Sequence, residues 1–78
     1  MDTYQTSNVN LASWLEEQFP GCPVVREKDK GIAWFYFEGS AAPKCAELER
    51  VWLRKEAVGN IRQFLFNRDR NLDFINEK

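Results

Sequence analysis

From Ile32 to Phe37 six consecutive residues, IAWFYF, are apolar or aromatic, the longest such run in a chain whose apolar residues are elsewhere broken up by polar ones, Pro or Gly within two or three positions. A strand sends alternate side chains to opposite faces, so Ile32, Trp34 and Tyr36 share one face and Ala33, Phe35 and Phe37 the other. Each face therefore needs a cover. The preceding Val24 to Lys28 reads as the first arm of a hairpin, joined through Asp29-Lys30-Gly31, a short bulged loop in which Gly31 takes positive φ.

Helical spacing governs the rest. Residues 3–6, TYQT, are short and β-prone, and Ser7 and Asn8 are N-cap residues whose side-chain oxygens accept orphan amide protons. Leu11, Ala12, Leu15 and Phe19 then mark a first helix to about Phe19, with Glu16, Glu17 and Gln18 on its outer side. Pro20, Gly21 and Pro23 end it. Ser40 as cap and Pro43 in the first turn open a second helix. Its stripe is Ala41, Cys45, Leu48 and Trp52, widened by Val51 and Leu53, while Glu47, Arg50, Arg54 and Lys55 face water and Gly59 stops it.

Asn60 followed by Gln63 is a variant capping box for a third helix with the stripe Ile61, Phe64, Leu65, Leu72 and Ile75. Phe66 and Phe74 lie off that stripe, so this helix is expected to be contacted from two directions. The expected fold is a single α+β domain over residues 1–78. Its small antiparallel sheet with a central hairpin packs against helices, in the order strand, helix, strand, strand, helix, helix.

The 78 residues bound the core tightly, because a domain of this size buries only about 60% of the surface its unfolded chain exposes and gains from self-association. Eleven aromatic residues are too many for a disordered chain. A net charge of -1 provides no global field to attract nucleic acid or anionic lipid. The charge divides into -3 over residues 1–25 and +2 over residues 26–78. The six-residue apolar run is far shorter than the roughly 20 residues of a membrane-spanning helix. With two cysteines and no basic, apolar leader at the start, a cytoplasmic protein with reduced thiols is expected.

Catalytic chemistry is sparse. There is no histidine, which removes the commonest general base and the commonest metal ligand. Cys22 and Cys45 form no Cys-x-x-Cys pair, Cys45 falls on an apolar helix stripe, and no Gly-rich phosphate loop occurs. Neither a catalytic residue, a cofactor nor a metal site is expected, and the protein is read as non-enzymatic.

KGIAWFYF, Lys30 to Phe37, resembles the ribonucleoprotein signature of RNA-recognition-motif domains, fitting it at Lys30, Gly31, Ala33 and Phe37, with Trp34 an aromatic on which a base can stack. Tyr4 stands near the aromatic of the companion strand. Ile32 replaces the first stacking aromatic, Phe35 replaces Val, and a helix occupies the place of the fourth strand. Over most of the chain, Tyr4, Thr6, Ser7, Asn8, Leu11, Ala12, Phe35, Phe37 and Glu38 are similar to a family of small uncharacterised domains encoded by phages and bacteria. That resemblance implies a phage or mobile-element context and a structural role for Phe35 and Phe37.

The candidate interaction surface is Ile32, Trp34 and Tyr36. Cover by the chain's own third helix or by a second copy is the leading expectation, because a small core gains most from it. An unknown protein partner follows. Single-stranded nucleic acid stacked on Trp34 and Tyr36, with phosphate contacts from Arg26, Lys28 and Lys30, is the alternative.

Overall fold

Asn8 starts the first helix by accepting hydrogen bonds at Oδ1 from the backbone N–H groups of Asn10 (3.0 Å) and Leu11 (3.1 Å). Each otherwise lacks a partner at a helix start. In the computed structural model, which describes residues 3–77, the elements are β1 (Thr3–Thr6), α1 (Val9–Gln18), β2 (Val24–Asp29), β3 (Ile32–Glu38), α2 (Ala41–Leu53) and α3 (Ile61–Asn76). This is the anticipated α+β order. The sheet is antiparallel with strand order β1-β3-β2, so the aromatic strand is central.

Register follows the pleat. Phe37 lies between Tyr4 of β1 and Val24 of β2, and Phe35 between Thr6 and Arg26. Phe35 and Phe37 are fully buried beneath the helices with Leu11, Ala12, Trp14, Leu15, Ala41 and Cys45. Burying one such large side chain stabilises by about 1.5–3 kcal/mol, so these residues carry much of the small core.

Two chain reversals differ from the expectation. Asp29 pairs directly with Ile32, leaving a two-residue loop in which both Lys30 (φ 52) and Gly31 (φ 82) are left-handed. That is the mirror-image turn whose twist matches a hairpin, so no bulge is needed. The second helix ends at Leu53, well before Gly59, because Lys55 (φ 62) takes the left-handed position itself. Its N–H donates to Trp52 O (2.9 Å) and that of Glu56 to Val51 O (3.1 Å), the paired closure of a Schellman cap.

The third helix packs differently from its apolar pattern. Ile61 (66% exposed) and Leu65 (47%) face outward, whereas the buried residues of α3 are Asn67 and Asn71. Phe64, Asn67, Asn71 and Phe74 keep the three-and-four spacing of one helix face, but its middle is amide rather than hydrocarbon. α3 lies against α1 on the helix-covered side of the sheet, where the Phe74 ring meets Phe35 at 6.3 Å between centroids. It leaves the opposite face untouched. Among the described residues no helix is long and apolar enough to cross a membrane.

Candidate interaction surface

Alternation along β3 delivers Ile32, Trp34 and Tyr36 to the sheet face that no helix covers. Ile32 is 47% exposed, Trp34 and Tyr36 are half-buried, and Val25, opposite Tyr36, is 40% exposed. The three sequence-predicted residues are thus brought together, and none of them joins the core cluster. The expectation that the third helix covers them is overturned by the polar face of α3, which draws that helix onto α1.

The nucleic-acid residues are not brought to this surface. Arg26 lies on the helix side, donating from Nε to Asn71 Oδ1 (2.8 Å) and from Nη2 to Glu16 Oε1 (2.9 Å). Lys28 is also on that side, with Nζ 5.1 Å from the Phe74 ring centroid and bonded to the backbone carbonyl of Glu77. Lys30 lies in the two-residue hairpin turn, beyond the last paired residues Asp29 and Ile32. Tyr4 points the same way as Arg26, its ring 6.3 Å from that of Phe37, so the companion aromatic of an RNA-recognition surface is absent from the open face.

Sequence inspection missed the charge that this parity creates. β2 reads Val-Val-Arg-Glu-Lys-Asp, and alternation puts both bases under the helices and leaves Glu27 and Asp29 beside Val25. Glu27 pairs with Trp34 and Asp29 with Ile32, and Glu38 continues the same face of β3. Every charged residue that the three strands place on the open face is acidic. The alternation of sign within β2 was the available signal.

Glu16 was also misplaced by the sequence pattern, which put it on the outer side of its helix. Its side chain is only 6% exposed. Oε1 accepts from Arg26 Nη2 and from Asn71 Nδ2, both at 2.9 Å, and Oε2 pairs with Arg70. Held by two guanidinium groups and an amide, this carboxylate ties α1 to β2 and α3. Glu17 and Gln18 tie down the approach to α3: Asn60 N–H donates to Glu17 Oε1 (3.0 Å) and Gln18 Nε2 to Val58 O (3.1 Å). Among the described residues no three or more His, Cys, Asp or Glu side chains come together as a metal would need.

A second apolar surface is built by α1, the end of α2, the connection after it and the start of α3. There Trp14, Trp52, Ala57, Val58, Ile61 and Phe64 line an open depression of about 350 Å³. Trp14 is anchored in its floor by a hydrogen bond from Nε1 to Val58 O (3.0 Å) and packs on Trp52 at 5.7 Å between centroids.

In comparisons with protein-family models, curated proteins and solved structures, no match to this chain was found.

Proposed function

We propose that the protein is a non-catalytic accessory domain that acts through protein–protein contacts at the open sheet face, in the phage or mobile-element setting that its opening residues resemble. One observation carries this reading: Ile32, Trp34 and Tyr36 line one sheet face that no helix among the described residues covers. Aromatic residues concentrated on a rigid surface are the usual anchors of protein interfaces. Single-stranded nucleic acid is the weaker occupant, because Glu27, Asp29 and Glu38 would meet its phosphates while Arg26 and Lys28 are engaged elsewhere. A photo-crosslinking residue at position 25, beside Tyr36 and leaving the three aromatic-strand anchors in place, activated in the cells that carry the gene, tests the reading. A discrete protein adduct absent when the same group replaces Arg62 is expected, and a nucleic-acid adduct or none would overturn it.

A further inference from the structure

We infer that the occupant of the open sheet face is a short cationic segment of a partner protein, with apolar side chains between its Lys or Arg residues; this rests on the interaction reading above. Among the strand residues the charge is one-sided: Glu27 and Asp29 flank Trp34 and Ile32 along β2, Glu38 follows Tyr36 at the end of β3, and the bases of β2 lie under the helices. A cation entering here meets carboxylates at the rim and the faces of Trp34 and Tyr36 at the centre. Both attract it, the second through the ring quadrupole.

The dimensions select a segment over a folded copy. Seven residues of β3 give a face roughly 24 Å long, and three strands make it roughly 14 Å wide, on the order of 300 Å². A stable interface between globular proteins takes about 800 Å² from each partner. A two-fold face-to-face dimer would also oppose two acidic rims. Edge pairing through β2 is no better, since a register centred on residue 26 sets Arg26 against Arg26 and one centred on residue 27 sets Glu27 against Glu27. From Ile32 to Tyr36 the anchors span roughly 14 Å, about the reach of two to three helical turns. A short amphipathic helix therefore fits, and its affinity is expected to be modest and sensitive to salt.

The test titrates the isotopically labelled full chain with two synthetic amphipathic peptides, one of Lys and Leu and the other with Glu at every Lys position. The Lys peptide is expected to shift the Trp34 indole and the Val25, Glu27 and Tyr36 amides. Binding should weaken at least fivefold from 50 to 300 mM NaCl and at least tenfold in the Glu27→Gln/Asp29→Asn/Glu38→Gln variant. The Glu peptide should leave these signals unmoved. If the Glu peptide or rising protein concentration shifts them while the Lys peptide does not, the cationic inference is overturned and the face stands as a binding surface. Salt-insensitive binding of the Lys peptide overturns the same inference alone. If nothing moves them and crosslinking at position 25 also yields no protein adduct, both readings fall.

Discussion

The side-chain amide of Asn71 donates to the hydroxyl of Ser13 at 3.1 Å across the α1–α3 contact, and both residues are buried. Ser13 Oγ in turn donates to Val9 O (2.7 Å), and the carbonyl oxygen of Asn71 accepts from Arg26 Nε (2.8 Å). Helix, helix and strand thereby meet at one amide. Every buried side-chain polar atom among the described residues has a partner, and a fully satisfied network of this kind fixes a single packing arrangement.

Replacing Asn71 with Ala removes the acceptor of Arg26 Nε and a donor to both Ser13 and Glu16, leaving each of the three short of one hydrogen bond at a buried contact. The expected cost is about 2–3 kcal/mol in urea unfolding. Ser13→Ala alone should cost less. A double-mutant cycle of the two should give a coupling of about 0.5–1.5 kcal/mol, and strict additivity would deny the pair any specific role.

Two lysines occupy backbone positions suited to glycine or asparagine. Lys30 (φ 52) lies in the hairpin turn and Lys55 (φ 62) closes α2. A residue with a Cβ pays about 1 kcal/mol or more for that conformation, which Gly avoids and Asn tolerates better. Lys30→Asn and Lys55→Gly are each expected to stabilise by about 0.5–1 kcal/mol and to raise Tm by several degrees. A fall in Tm for either variant would mean that the lysine side chain contributes more than its backbone costs.

These same positions show where the sequence was legible. The cap at Asn8, the alternation of Phe35 and Phe37, and the Asn60–Gln63 helix start are local signals, and each leads directly to its element. Lys55 and the inward Asn67 and Asn71 are not local. A lysine enters a left-handed cap because the backbone bonds of Lys55 and Glu56 to the end of α2 close the turn there. An asparagine enters a helix interface because Ser13 and Glu16 on another element supply its partners. The aromatic face was legible from parity alone, but its openness depended on which way α3 turned.

The thiol of Cys45 is pushed up to about 11, first by burial and second by the neighbouring Cys22, from an ordinary value near 9. Once unfolded, it ionises near its ordinary value, whereas the folded thiol remains neutral to higher pH. Its contribution is therefore intact below pH 9 and lost as pH rises from 9 towards 11, on the order of 2 kcal/mol in all. Urea unfolding under reducing conditions at pH 8.5 and 10.5 should show the wild type losing more stability than Cys45→Ala. Tyr4, whose phenol is also raised by burial, by Glu49 and least by Cys45 itself, is removed from the comparison by measuring both proteins in a Tyr4→Phe background. Equal losses would count against a buried neutral thiol.

Adjacent residues of β3 offer the sharpest separation of folding from interaction. Phe35 is fully buried and touches Phe74, so Phe35→Ala leaves a cavity and should cost about 3–5 kcal/mol, enough to unfold much of a domain this small. Trp34 stands on the open face opposite Glu27, where a β-branched replacement keeps strand preference and loses only partial burial. Trp34→Thr should therefore cost about 1 kcal/mol, with circular dichroism and the core methyl resonances unchanged. It should nevertheless remove a central anchor and lower affinity for a bound basic peptide at least tenfold, since truncating an aromatic hot spot typically costs more than 1.4 kcal/mol of binding. If Trp34→Thr unfolds the protein as Phe35→Ala does, the tryptophan belongs to the core and the open face loses its claim as a binding surface.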